Sequence, residues 1–284
     1  MSVINTNVKS LVAQNALTVN NRSLSKSMEQ LSTGKRINSA ADDAAGLAIS
    51  NKMTSQIRGL NQAVRNANDG ISMIQTAEGA TQEISNMLQR MRELAVQGAN
   101  DTYSAADREA IGKEYGQLVD EIDRIAGNTE WNGIKLLDGS TFSSATAAVL
   151  QVGTGSGSAY QIEVNFLEMD KDSIASSYAL SNTDITDTTT AGGFQTVIAN
   201  LDENIAAVDA FRADLGAKIN RLTYAADNMS NISMNTSASR SRIQDADYAS
   251  ATTELARSQI ISQAATAMLA QANQAPQSVL SLLR

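Results

Sequence analysis

DDAAGLAISNKMTSQIRGLNQAVRNANDGISMIQTAEGATQEISNMLQRMRELAVQGAN, residues 42–100, is the stretch that decides the fold. Met53, Ile57, Leu60, Val64, Ala67, Ile71 and Ile74 alternate spacings of four and three, the repeat of a coiled-coil seam. Past Ile74 the beat slips once and resumes through Ala77, Thr81, Ile84, Leu88, Met91 and Ala95, so the sequence predicts a stammer bracketed by Gly70 and Gly79. Proline is absent from the whole stretch. Read as one helix it would be about 85 Å long. A stripe of that length cannot bury itself, so other segments must pack along it.

Several others carry the same beat. Val3 to Leu31 holds Ile4, Val8, Leu11, Leu17, Leu24, Met28 and Leu31, and Gly34 follows as the residue just past a helix end. Among Asn38, Ser39, Asp42 and Asp43 there are candidates to cap the long helix; a cap is the simpler reading than a metal site, because two adjacent carboxylates without a third make a poor ligand set. Ser104 to Asp107 resembles a capping box, opening a helix with Ile111, Tyr115, Leu118, Ile122 and Ile125; the short connection before it implies an antiparallel neighbour. Leu201, Ile205, Val208, Leu215, Ile219, Leu222, Ala226 and Met229 skip a beat at Arg212, and a Ser- and Asn-rich stretch follows. Asp245 to Asp247 opens a last helix through Ala251, Leu255, Ile261, Ala265 and Met268, which Pro276 is expected to stop before the apolar tail Val279, Leu280, Leu282, Leu283. Both ends are amphipathic, and the simplest partner for each is the other.

Beyond Trp131 the period changes. Asn132-Gly133 and Asp138-Gly139 are hairpin-type turn pairs, and Tyr160, Ile162, Val164 and Phe166 alternate as in a half-buried strand, with Ala148 to Val152 placed to pair across GTGSGS. That loop has no following helix and no lysine, so it is not a phosphate cradle. Ser140 to Gly193 reads as surface loop, and an unmodified polar loop is the simpler reading than one carrying O-linked sugars. The N-x-S triplets at Asn21, Asn228 and Asn231 fall in helical segments, which argues against N-glycosylation.

Composition agrees with a bundle of helices. Of 284 residues 42% are apolar but only 4% aromatic, which suits close helix packing rather than a thick core. A net charge of -8 disfavours nucleic acid and anionic lipid as partners. With no cysteine and no histidine, disulfides, thiolate or imidazole metal sites and histidine-based catalysis are excluded, and composition leaves open only a carboxylate-only metal or acid site. Neither a membrane span nor a signal peptide is visible, which by itself would place the chain in the cytosol.

INTNV at 4–8, LSTGKRINSAADDAAGLAIS at 31–50, RNANDGISMIQTAEGA at 65–80, LQRMRELAVQGAN at 88–100, SRIQDADYA at 241–249 and AQANQAPQSVLSLLR at the C-terminus resemble bacterial flagellin. The resemblance covers most of the first 140 and the last 90 residues. It implies a mainly α fold: a long antiparallel coiled-coil bundle built from N- and C-terminal segments, with a small β-hairpin region in the middle. By that resemblance 1–40 with 245–284 form inner-core helices that include Ile4, Val8, Leu11, Leu17, Leu24, Leu255, Ile261, Met268, Leu280 and Leu283. Residues 41–140 with 194–244 form an outer helical rod, and 141–193 a short variable surface region.

The same resemblance implies a structural, non-enzymatic subunit that polymerises into the flagellar filament, with ends that order on assembly. It further implies unfolded export through the flagellar type III channel, which replaces the cytosolic placement, and the export chaperone and cap or junction proteins as partners. In LQRMRELAVQ, Arg90, Leu94 and Gln97 share a face other than the seam, and Leu94 reads as an apolar residue off the core stripe. Leu88, Gln89, Arg90, Leu94, Gln97 and, on the next helix, Glu114 match the family's positions for subunit packing and for recognition by the host flagellin-sensing Toll-like receptor. The alternative reading is a hook–filament junction protein. A protease-bearing insert would need more than the roughly fifty residues of the middle and an H-E-x-x-H motif. A cytosolic coiled-coil tether would keep stable helices as a dilute monomer.

Overall fold

The computed structural model describes residues 7–142, 147–169 and 191–281. Five long helices carry the chain: α1 (Val8–Thr33), α2 (Ala44–Gly98), α3 (Ala105–Asn128), α4 (Ala191–Gln244) and α5 (Tyr248–Ser281). Two antiparallel strand pairs lie between α3 and α4: β1 (Glu130–Trp131) with β2 (Ile134–Lys135), and β3 (Ala148–Gln151) with β4 (Gln161–Val164). The chain separates into two compact units, Met1–Ile57 with Met234–Arg284 and Arg58–Ser233.

In the unit Arg58–Ser233 the buried face of α2 runs through Leu60, Ala63, Ala67, Gly70, Ile74, Ala77, Thr81, Ile84, Leu88, Met91, Ala95 and Gly98. These spacings alternate three and four without a break, so the expected stammer does not exist. At two of its positions, Ala63 and Gly70, a small residue lies in the seam while the bulkier Val64 and Ile71 beside them are only partly buried at the flank. The reason for Gly70 is the hairpin: the Leu150 side chain occupies the space a Cβ would take. Thr154 packs in the same way on Gly59, and Phe194 of α4 on Gly98.

Two polar contacts secure this hairpin between helices, Asn66 Nδ2 donating to the Gln151 carbonyl at 3.1 Å and Lys218 Nζ to the Glu163 carbonyl at 3.0 Å. The pairing of β3 with β4, and the inward alternation of Ile162, Val164 and Phe166, follow the sequence expectation. Asn132 and Gly133 take positive φ of 51° and 77°, as a two-residue hairpin loop requires.

Arginines fix the helix pairing. Arg92 Nε meets Asp202 Oδ1 at 2.5 Å, and ten residues back on α2 Gln82 accepts from Arg212, ten residues forward on α4, so the two helices run antiparallel in a constant register. Ser104 and Asp107 form the expected capping box of α3. The residue that closes the turn was not anticipated: Arg108, 7% exposed, donates Nε to the Gly98 carbonyl and Nη2 to the Asn100 carbonyl, both at 3.2 Å. A cation thereby satisfies the carbonyl end of α2.

In the other unit α1 and α5 pair antiparallel, with Asn20 Nδ2 donating to the Ser258 carbonyl in the buried seam. The inward positions of α1 are Ser10, Ala13, Leu17, Asn20, Leu24, Ser27 and Leu31, and those of α5 are Ala251, Leu255, Ser258, Ser262, Ala265, Leu269 and Ala272. Each set is an unbroken heptad pattern, but of small and polar residues among the leucines. The expected apolar stripe is therefore corrected: Val8, Leu11 and Met28 on α1, and Ile261 and Met268 on α5, are exposed, while Leu17, Leu24 and Leu255 are half-buried. Ile4 and Leu283 lie outside the described residues, and Leu280 belongs to the last turn of α5.

Pro276 does not stop α5, which continues to Ser281. A helical proline leaves the carbonyl four residues back without its amide partner. Here that carbonyl is Ala272, and Asn7 Nδ2 donates to it at 2.8 Å while Asn7 Oδ1 caps α1 by accepting from Ser10 N. The Ser- and Asn-rich stretch likewise stays helical as the last turns of α4. Between α1 and α2, Asp43 Oδ1 caps α2 through Gly46 N, whereas Asp42 accepts from Asn38 N, Ser39 N and Ser39 Oγ and pairs with Lys26 at 2.9 Å. Across from this knot Arg36 N donates to the Gln244 carbonyl and Ala246 N to that of Gly34, where the backbone turns left-handed at φ 68°.

Gly70→Val is expected to destabilise the Arg58–Ser233 unit by about 1–3 kcal/mol through overpacking against Leu150, read as a lower urea midpoint, with Leu150→Ala in the same chain relieving most of the loss. The Lys26 hydrogen bond first, then those from Ser39 and Asn38, hold the Asp42 carboxyl well below the usual carboxylate range. Its stabilisation is therefore complete above the unfolded pKa of about 3.9 and fades as pH falls below it. The gap in urea midpoint between wild type and Asp42→Asn should be open at pH 6 and narrow steadily in the acid range.

Candidate interaction surfaces

Because α1 and α5 turn small residues toward each other, the bulky ones are left facing water. Val12 is 64% exposed and Met268 65%, and Val8, Leu11, Val19, Ile260 and Ile261 share this state. Val8, Val12, Ala16, Ile261, Ala265 and Met268 border an open groove of about 740 Å³ along the helix pair. A contiguous apolar face of this kind marks an interaction site.

The second surface lies on α2 and α3. Arg90 donates Nε and Nη2 to Glu114 Oε1 at 3.2 and 2.9 Å and Nη1 to Glu93 Oε2 at 3.0 Å, and Gln97 Nε2 reaches the Tyr103 hydroxyl at 3.2 Å. The hydrogen bonds it donates to Glu114 first, then to Glu93, raise the Arg90 pKa further, so it is a fixed cation. Gln89, Arg90, Gln97 and Glu114 are exposed and Leu88 is buried. Leu94 departs from expectation: at 2% exposure it belongs to the core with Met91 and Ala95. With α3 and α4 both packed on α2 here, from Ser85 to Leu94 roughly half of the helix circumference is buried, and a single-seam reading underestimates that arc.

The structure thus brings Arg90 and Glu114 together, and adds Glu93 and Tyr103, which sequence reasoning missed. A signal existed: Arg90 and Glu114 stand equally far from Thr102 in the turn, so an antiparallel hairpin of helices must place them side by side. Among the described residues no group of three or more acidic side chains is arranged to hold a metal ion, and no helix is long and apolar enough to cross a membrane.

Residues 4–141 match the bacterial flagellin N-terminal helical region and residues 198–283 the bacterial flagellin C-terminal helical region. The chain is 49% identical to a flagellin of Halalkalibacterium halodurans over 282 residues, covering 99% of this chain and 100% of that one. The chain belongs to the bacterial flagellin family. It is also 45% identical to a flagellin of Bacillus subtilis, over 99% of both chains. Among solved structures, a putative flagellar hook-associated protein from Vibrio parahaemolyticus shares the fold with a TM-score of 0.60 at 15% identity, over 72% of this chain and 100% of that one. Bacillus cereus flagellin aligns with 33% identity and a TM-score of 0.47, over 58% of this chain and 88% of that one. Membership makes this flagellin a structural subunit of the flagellar filament, with helices and small strand pairs arranged as the resemblance implied.

Leu94→Ala should cost about 2–5 kcal/mol, as truncations of buried leucines do, whereas Arg90→Ala should leave the urea midpoint essentially unchanged, since exposed ion pairs contribute little. Parallel denaturation curves of the two variants separate the packing residue from the surface residue.

Proposed function

We propose that this flagellin polymerises through its paired ends into the filament that drives swimming, with 1–40 and 245–284 as inner core, 41–140 and 194–244 as outer core, and 141–193 as the variable surface. The observation that carries the reading is the inverted packing of α1 and α5: leucines apart, small and polar residues face inward and valines, isoleucines and methionines outward. Such a pair gains its full burial only when further copies lie against it. On the same reading the subunit leaves the cell unfolded through the flagellar type III system, attended by the export chaperone, and meets cap and junction proteins at the filament ends.

The free subunit is further proposed to be read by the host flagellin-sensing Toll-like receptor through Gln89, Arg90, Gln97 and Glu114. Leu88 and Leu94 then act from beneath, holding α2 against its neighbours. A hook–filament junction protein is the second reading, and the hook-associated structure shares its fold with this chain. At 15% identity that likeness speaks for the fold alone, and abundance in sheared filaments separates the two.

Leu11→Asn combined with Ile260→Asn removes two outward apolar side chains and no seam residue. Purified protein carrying both should keep its helical circular dichroism and its monomer yield but fail to give filaments by electron microscopy under conditions where wild type does. Filaments formed by the double variant as readily as by wild type would overturn the assembly reading. Arg90→Asp tests the receptor reading in a reporter-cell assay, where an undiminished response would refute it.

A further inference from the structure

The described methionines divide sharply between the two units. In Arg58–Ser233, Met73, Met91, Met169 and Met229 are buried and Met87 is half-buried. In the unit of the chain ends Met53 is half-buried, and Met28, Met234 and Met268 are exposed. A thioether reachable by solvent reacts with peroxides without any enzyme, whereas one inside a packed core is shielded. Of the three exposed methionines, Met268 is the one bordering the apolar groove of α1 and α5.

We propose that Met268 is a reversible oxidation site through which peroxide-class oxidants withhold free subunits from assembly; this rests on the self-assembly reading above. The sulfur lone pair attacks one oxygen of hydrogen peroxide, the O–O bond breaks and an S–O bond forms. Sulfur is oxidised by two electrons, and the remaining oxygen leaves as water. The product is a polar sulfoxide with a strong acceptor oxygen. Around it Val8, Val12, Ile261 and Ala265 offer no side-chain donor, and the two donors that line the groove, Lys9 and Gln271, are exposed to water. Covering the groove with a second copy then buries an acceptor without a partner in place of a flexible apolar side chain. Once the groove is covered the sulfur is shielded, so the modification acts on free subunits and spares assembled ones.

The test treats full-length monomer with hydrogen peroxide, maps oxidation by peptide mass spectrometry, and then seeds polymerisation. Met268, Met28 and Met234 should oxidise well before the buried methionines, and in preformed polymer Met268 should be protected. Oxidised wild type should elongate about ten-fold more slowly than untreated protein, the factor that about 1.4 kcal/mol of lost contact produces. Treated Met268→Leu should elongate normally, and a thiol-driven methionine sulfoxide reductase should restore the oxidised wild type. Met268→Gln, a polar side chain of similar length, should elongate slowly with no oxidant at all. Equal inhibition of treated wild type and treated Met268→Leu, unchanged growth of oxidised wild type, or oxidation of Met268 no faster than Met91 would each overturn the proposal. Failure of the untreated wild type to polymerise would instead remove the self-assembly reading, while the order of oxidation in the monomer still decides whether Met268 is the reactive site.

Discussion

The narrowness of one helix seam governs this molecule. Where α1 meets α5 the inward positions include Ser10, Ala13, Asn20, Ser27, Ser258, Ser262 and Ala272, so the helices gain close backbone approach but little apolar burial. At roughly 25 cal/mol per Å² of apolar surface removed from water, a seam whose leucines stay half-buried among serines and alanines stabilises the pair less than the fully buried leucines and isoleucines that α2 offers its neighbours. The polar seam supplies register instead. Asn20 sits at a heptad position and donates to the Ser258 carbonyl, the kind of buried amide that fixes one alignment at a cost in stability. Asn7 adds a second pin at the far end, where the carbonyl freed by Pro276 needs a donor. The pair is thus precise in alignment and unfinished in burial.

The unit Arg58–Ser233 is built on the opposite plan. Its hairpin, α3 and α4 all press on α2, and the large side chains Leu88, Met91, Leu94, Leu136, Phe166 and Leu201 are fully or almost fully buried. Part of the charge left outside is arranged in short ion pairs such as Arg90 with Glu114 and Arg124 with Glu121. These exposed pairs stabilise little, but they fix where cations and carboxylates stand on the surface. A face of that kind offers geometry to a partner rather than apolar area, in contrast to the groove between the chain ends.

Much of this was legible in the sequence, and the misreadings share one cause. The heptad beat, the capping box at Ser104, the glycine at the end of α1 and both hairpins came from spacing and turn chemistry, which are local. Errors arose wherever side-chain size was equated with burial. Ala63 and Gly70 hold the seam where bulk points to Val64 and Ile71, and the apparent stammer comes from following bulk instead of period. Val8, Leu11, Ile261 and Met268 belong to the bulky stripes that the sequence shows, whereas the α1–α5 contact follows the unbroken period through Ala13, Asn20 and Ser258. Leu94 was placed outside because one seam was assumed where two helices pack. Spacing reports which residues share a face; which face turns inward depends on how near the partner backbone comes, and that is a property of the tertiary pairing.

Pro276 and Arg108 show the same dependence at the level of the backbone. A proline in a helix and a helix C-terminus both leave carbonyl oxygens without amides, and both read in the sequence as places where helices end. In each case a donor from elsewhere in the chain changes the outcome. The Asn7 amide arrives from a residue distant in sequence and close in space, and it is available only because α1 and α5 are antiparallel and in register. The Arg108 guanidinium arrives from the next helix and turns the end of α2 into a closed corner. Continuity of α5 past Pro276 is therefore coupled to docking of α1: the N-cap residue of one helix supplies the donor that the proline takes from the other.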